Sequence, residues 1–149
     1  MDDISAAESL EEFARLLRRA SQQLDEAITT CLGEATVSRW HVLCALDGGV
    51  GLSMSELAEV TPLTGASLTR LIDGMVSDNL VLRKVDALDR RRVLVLRTRR
   101  GTTAHQRMQR ALADSALPAA VTDRPALTTR LTALSQRLHA ERPGAVTGA

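Results

Sequence analysis

Residues 53–76 read Ser53-Met54-Ser55-Glu56-Leu57-Ala58-Glu59-Val60-Thr61-Pro62-Leu63-Thr64-Gly65-Ala66-Ser67-Leu68-Thr69-Arg70-Leu71-Ile72-Asp73-Gly74-Met75-Val76. Ser53-Met54-Ser55-Glu56 is a capping box, in which the Ser hydroxyl and the Glu carboxylate satisfy backbone N–H groups that a helix start leaves unpaired. The helix it opens must stop before Pro62, because the proline ring pushes residue 61 out of the α region. Another begins almost at once, with Thr64 as N-cap and Leu63 and Leu68 at the two positions of a hydrophobic staple. Leu68, Leu71, Ile72, Met75 and Val76 then form one apolar stripe, leaving Ala66, Ser67, Arg70, Asp73 and Ser77 on the other face. Two helices joined by a tight turn, the second polar outward, make a helix-turn-helix. Asn79 tolerates the left-handed conformation that ends the second helix.

Downstream the period changes. Val81 to Val85 and Arg92 to Arg97 alternate like strands around the polar, turn-prone Asp86-Ala87-Leu88-Asp89-Arg90-Arg91, which predicts a hairpin with a charged tip. From Thr98 helical spacing resumes and breaks at Pro118. A last helix, capped by Thr122 or Asp123, carries Leu127, Leu131, Leu134 and Leu138 and ends at Pro143-Gly144, with a disordered tail expected over 143–149. Upstream, Ser5-Ala6-Ala7-Glu8 is a capping box that opens a helix. Leu10, Phe13, Leu17, Ala20, Leu24, Ala27 and Cys31 follow in alternating steps of three and four, a seam that favours packing along another helix. A second helix is predicted from about Val37 to Leu46, ended by Asp47-Gly48-Gly49.

Composition narrows the classes. The chain has 149 residues, 19 Lys and Arg against 18 Asp and Glu, 44% apolar residues, two Cys, and two aromatics, Phe13 and Trp40. That is enough apolar matter for a core, with too few cysteines for a disulfide scaffold. With no Tyr, base-stacking platforms for single strands are nearly excluded. The longest clean apolar run, Val42 to Leu46, is too short to span a bilayer, and the acidic Met1-Asp2-Asp3 is unlike a secretory signal, so a cytoplasmic protein is expected. Charge is unevenly spread: residues 1–34 hold eight acids and three bases, whereas residues 81–110 hold ten bases and two acids. Such asymmetry points to an anionic partner near the hairpin.

A helix-turn-helix followed directly by a two-stranded wing is a winged helix, and Val42 to Gly101 resembles the MarR family of transcription regulators. The likeness is carried by Val42-Leu43-Cys44-Ala45-Leu46, by Leu52 to Glu59, by Ser67 to Asp73, and most specifically by Asp86, Asp89-Arg90-Arg91-Arg92, Leu96-Arg97-Thr98 and Gly101. The resemblance implies a mainly α fold with a small β-wing: one domain over 1–149, a winged helix-turn-helix at 36–100, and flanking dimerisation helices at 1–35 and 101–142. It also implies a homodimer on a pseudo-palindromic duplex. The leucine stripes at both ends agree, since they exceed what one small module can cover and a two-fold dimer is the commonest way to bury them.

The expected function is that of a dimeric, sequence-specific double-stranded DNA-binding regulator, a repressor released by a small-molecule effector. The expected base-edge contacts are Thr64, Gly65, Ala66, Ser67, Thr69 and Arg70, with Arg70 either the main hydrogen-bonding reader or a solvated helix charge. The family commonly has bulkier polar residues where this chain has Gly65 and Ala66, which shifts discrimination toward the wing or DNA shape. By resemblance Arg91 enters the minor groove, and Asp89 is expected to brace the tip by pairing with a nearby Arg. Arg83, Lys84, Arg90 and Arg92 are phosphate contacts or solvated charges. Arg99 and Arg100 in a first helical turn oppose the helix dipole unless an anion lies near.

An effector in this family, commonly a small aromatic or phenolic anion, sits between the dimerisation helices and the winged helix. Arg15, Arg18, Trp40, His41 and Cys44 are the candidates here, each more readily read as ordinary core or surface. Thiol sensing needs an exposed, low-pKa thiolate, and Cys31 and Cys44 both lie in apolar surroundings. Metal sensing would require His41, His105 and Cys31 to converge, so no metal or cofactor is predicted. The paired acid and base of an enzyme are missing, His41 and Cys44 being the one Cys–His pair close in sequence, without an evident third partner. The alternatives are a winged helix used for protein contacts, or a metal- or thiol-responsive member of the same family.

Overall fold

The computed structural model describes residues 2–121 and 123–141. The stop expected at Pro143-Gly144, the tail at 143–149 and Thr122 as a cap lie outside the described residues. The chain divides into two compact units, Met1–Ser115 and Ala116–Ala149. The first runs α1 (Asp2–Leu32), α2 (Glu34–Ala45), α3 (Met54–Val60), α4 (Gly65–Ser77), β1 (Val81–Val85), β2 (Val93–Arg97) and α5 (Arg99–Ala113). The second contains α6 (Leu117–Ala120) and α7 (Arg124–Ala140).

Several boundaries differ from the sequence expectation. α1 already runs at Asp2, so Ser5 lies inside the helix rather than capping it; Ser is only mildly unfavourable within a helix, and the residues before it continue the same turn. α2 starts at Glu34 instead of Val37, because Gly33 turns the chain with φ +84° and its carbonyl accepts from the Thr36 and Val37 amides at 3.0 Å each. The break after Thr98 comes at the end of α5, ahead of Pro118, and the proline sits in the first turn of α6, where its missing N–H costs nothing. Asp123 stands at the N-cap position of α7 without a side-chain cap bond.

The core of the first unit is made by Val42, Leu43, Leu46, Leu57, Leu68, Ile72, Met75, Leu80, Val81 and Val95, all buried. Each such side chain contributes about 1.5–3 kcal/mol by leaving water. They come from α2, α3, α4 and both strands, so the helix-turn-helix and the wing share one core. The capping box at Ser53 is present, with both Ser53 and Glu56 reaching the backbone of the other. Asn79 takes φ +55° and ends α4. By contrast, the α1 seam is largely uncovered: Leu10 is 66% exposed and Phe13 45%, whereas Ile28, beside the seam, is buried.

β1 and β2 pair antiparallel from Val81↔Arg97 to Val85↔Val93. β2 begins at Val93 because the Arg92 carbonyl accepts from the Asp86 amide at 2.8 Å and closes the turn. A further bridge, Leu52 to Val95, with backbone bonds of 3.0 and 2.8 Å, joins residues too far apart for local pattern to reveal.

At the base of the hairpin Thr98 joins three elements. Its amide donates to the Leu80 carbonyl at 3.1 Å. Its hydroxyl donates to Asn79 O at 2.6 Å and Leu80 O at 3.1 Å, and accepts from the Gly101 amide at 3.0 Å as the cap of α5. This closeness leaves no room at residue 101, where a Cβ would stand 2.0 Å from Leu80 O. Gly101→Ala must therefore separate α5 from the wing base, and we expect a loss of at least about 2 kcal/mol in urea unfolding. An unchanged urea midpoint would mean that this joint is not tight.

Candidate nucleic-acid interface

The outer face of α4 is exposed at Ala66, Ser67, Thr69, Arg70 and Asp73, while Leu68, Ile72 and Met75 anchor the opposite face. Thr64 occupies the N-cap position but makes no side-chain cap bond. The cause lies next door: Gly65 has φ +54°, a left-handed conformation that an L side chain adopts only with strain. Glycine at 65 is thus explained by backbone geometry. The Thr69 hydroxyl donates back to Gly65 O at 3.3 Å and keeps its lone pairs outward.

Three ion pairs tie the wing to α3, to α4 and to the turn after α2. Arg83 of β1 meets Asp73 of α4 at 2.6 Å. Arg92, just before β2, meets Glu56 of α3. Arg97, at the end of β2, meets Asp47 after α2 at 2.6 Å and also donates to Leu43 O at 3.1 Å. Glu56 accepts from Arg92 and from the Ser53 amide, and these bonds hold its carboxyl down at about 2. Asp47 is likewise held below the usual carboxylate range by its bond to Arg97. None of these partners could be found from sequence spacing, since the members of each pair lie 10 to 50 residues apart.

Behind the clamp, Arg97 donates to His105 Nδ1 at 2.6 Å, which leaves the imidazole proton on Nε2, facing Cys44 Sγ at 3.4 Å. His105 is buried, and burial together with Arg97 lowers its pKa, so the ring is neutral. Cys44 is exposed rather than enclosed in apolar surroundings, yet partial desolvation and the nearby Asp47 carboxylate raise the pKa of its thiol, the opposite of what an oxidant sensor requires. The Cys–His pair that folding creates is therefore Cys44–His105, whereas His41 stands 4.0 Å from Asp25. Cys31 Sγ faces Ala111 O at 3.5 Å. Among the described residues no three His, Cys, Asp or Glu gather into a metal site.

At the wing tip the two aspartates act on the backbone. Asp86 accepts from the Leu88 amide at 2.9 Å and Asp89 from the Arg91 amide at 3.0 Å. Asp89 thus shapes the turn through the main chain, and the guanidinium pair expected for it is not formed. The bracing leaves Arg90 and Arg91 exposed, and among the described residues neither pairs with a carboxylate; the same holds for Lys84 and Arg70. Leu88, overlooked in the sequence reading, is 98% exposed at the tip. Its one signal there was an isolated leucine inside a polar turn.

The candidate effector residues do not form one group. Arg15 and Arg18 line an open depression with Glu11, Ala14, Arg19 and Gln22, all on α1. Trp40, His41 and Cys44 lie on α2; the Trp40 and His41 rings meet edge-on at 5.0 Å. Trp40 Nε1 is buried and has no acceptor among the described residues.

Residues 36–92 match the model of the MarR family. No curated protein matches the chain. Among solved structures, the chain is similar to BpsR of Bordetella bronchiseptica, from a study of how 6-hydroxynicotinic acid regulates its DNA binding: 25% identity, 82% of this chain and 91% of that one covered, TM-score 0.61. It is similar in fold to a cysteine-to-serine mutant of E. coli MarR complexed with operator DNA, at 23% identity, covering 84% and 92%, TM-score 0.62. The transcriptional repressor CouR bound to a 23-mer duplex also shares the fold, at 21% identity, covering 80% and 89%, TM-score 0.63.

The Glu56–Arg92 clamp predicts a pH signature. A carboxyl held at about 2, against an ordinary 4.5, adds stability that is complete above its ordinary value and is lost as pH falls from about 4.5 toward 2. In an NMR titration Glu56 should therefore titrate near 2, and Arg92→Gln should raise its midpoint while the Ser53 bonds keep it below the usual range. A normal Glu56 midpoint in the unaltered protein would show that the clamp is open in solution.

Proposed function

Because residues 36–92 belong to the MarR family of winged-helix transcription regulators, we propose that this DNA-binding regulator is a homodimeric repressor that grips a pseudo-palindromic duplex and is released by a small-molecule effector. The observation that carries the DNA contact is the division of labour among the wing arginines. Arg83 and Arg92 are tied to acids of the helix-turn-helix and Arg97 to Asp47 after α2, while Arg90 and Arg91 meet no carboxylate among the described residues, at a tip whose own aspartates are occupied with its backbone. A free guanidinium on a rigid hairpin enters the minor groove at low entropic cost, and the exposed Leu88 beside it offers an apolar surface to the sugar walls. The polar face of α4 lies in the major groove, with Arg70 the hydrogen-bonding reader.

The dimer reading rests on uncovered apolar surface, with Leu10, Phe13, Leu16, Leu17 and Leu24 of α1 and Leu127, Leu131 and Leu138 of α7 all exposed. Two copies related by a two-fold axis bury such stripes and present their recognition helices one turn of duplex apart, about 34–36 Å. The repressor and effector readings draw on the relatives: CouR is a repressor, and 6-hydroxynicotinic acid regulates DNA binding by BpsR. In this chain the buried indole N–H of Trp40, without an acceptor among the described residues, favours an acceptor-bearing effector at α2, since a buried donor without a partner costs about 1–3 kcal/mol.

Two substitutions separate positioning from reading. Arg91→Ala should weaken binding to all duplexes, lower the salt slope by about 1, and leave thermal stability unchanged; an unaltered slope in an anisotropy titration would refute its phosphate-wall role. Arg70→Ala should relax preference at one position per half-site, worth about 1–3 kcal/mol. If site selection with that variant returned the parental motif, Arg70 would not be a reader.

A further inference from the structure

Leu88 is the most exposed large apolar side chain among the described residues. A single exposed leucine is ordinary on a protein surface; this one is held in place. Asp86 accepts from its amide at 2.9 Å and Asp89 from the Arg91 amide at 3.0 Å. Main-chain bonds run from Asp86 N to Arg92 O at 2.8 Å and from Arg92 N to Asp89 O at 2.9 Å. Together these bonds fix the turn over 86–91, so its side chains are presented on a backbone that loses little freedom when a partner covers them.

The tip is also poor in free acceptors. The side chains of Ala87, Leu88, Arg90 and Arg91 carry none, and the carboxylates of Asp86 and Asp89 are engaged with backbone amides. In the minor groove an A·T pair shows acceptors alone, which guanidinium groups can serve, whereas a G·C pair adds the guanine N2 amino donor to the floor. A leucine pressed over that amino group strips its water and returns no hydrogen bond.

We propose that Leu88 is a specificity-determining residue: seated in the minor groove beside Arg91, it admits A·T pairs and rejects pairs that carry the guanine amino group. This role rests on the minor-groove placement of the wing proposed above, and it adds a sequence preference that uses no hydrogen bond to a base edge. It suits a recognition helix that opens with Gly65 and Ala66, whose side chains have no hydrogen-bonding group. Arginine follows the width and potential of the groove; the leucine responds to one exocyclic group.

Duplexes recovered by site selection with the full chain test the role, each made in three forms: unmodified, with 2,6-diaminopurine in place of adenine, and with inosine in place of guanine. The first replacement adds the minor-groove amino group to A·T pairs and the second removes it from G·C pairs, while guanine's major-groove acceptors are kept in inosine. In anisotropy titrations at one salt concentration the parent should bind the diaminopurine form roughly ten-fold more weakly than the unmodified one, the cost of one buried unpaired donor, and the inosine form no more weakly. Leu88→Asn, which supplies an acceptor, should lose most of that discrimination with an unchanged salt slope, and matching thermal melts verify that it folds. Equal binding of all three forms by the parent would overturn the role. Full discrimination retained in Leu88→Asn would overturn it too, and would give the preference to Arg91 and groove shape. A parent that binds no duplex even at low salt would remove the DNA-binding reading and this role with it, whereas binding without discrimination removes this role alone.

Discussion

Thr98 sits where the end of α4, the wing and α5 meet, and its hydroxyl serves two of them at once. It donates to the carbonyls that follow α4 and accepts the Gly101 amide that would otherwise be left open at the start of α5. A buried backbone group without a partner is expensive, so this residue fixes the height at which the hairpin leaves the helix-turn-helix. Everything further along the wing inherits that position. Arg97, one residue earlier, extends the joint to α2 through Asp47 and Leu43 O, and to α5 through His105.

From that base the wing is held along its length by charge. Exposed ion pairs are worth little singly, and Arg83–Asp73 and Arg92–Glu56 are exposed. Their value is geometric: each fixes a strand against a different helix, and together they limit rocking of a hairpin that shares Val81 and Val95 with the core. The arginines that make these bonds are spent on structure. Those at the tip are kept apart from internal acids because Asp86 and Asp89 are engaged with backbone amides, which is how a chain of net charge +1 presents a concentrated positive point.

Much of this was legible in the sequence because local rules decide it. The Ser53 box, the stop before Pro62, the left-handed Asn79 and the alternation after Leu80 each rest on residues within a few positions of one another. The domain-level resemblance rested on the wing motif, and its helix-turn-helix and hairpin stand where expected. Pairings between distant residues were not legible. Nothing in the spacing of Glu56 and Arg92, or of Cys44 and His105, announces that they touch, and the roles of Arg83 and Arg92 as clamps emerge only in three dimensions. Ser5 and Pro118 misled because a local signal was read as a boundary, although the neighbouring residues continue the helix in one case and end it earlier in the other. Gly65 looked like a weakened contact residue and proves to be a backbone requirement.

Arginines of one short segment thus divide into those held by acids and those that meet none among the described residues. Arginine Nε–Hε resonances, followed by NMR while an operator-length duplex is added at low salt, report on this division. Arg90 and Arg91 are expected to shift and broaden at the first additions while Arg83, Arg92 and Arg97 stay where they are. Movement of the three clamped side chains with Arg91 unperturbed would contradict it.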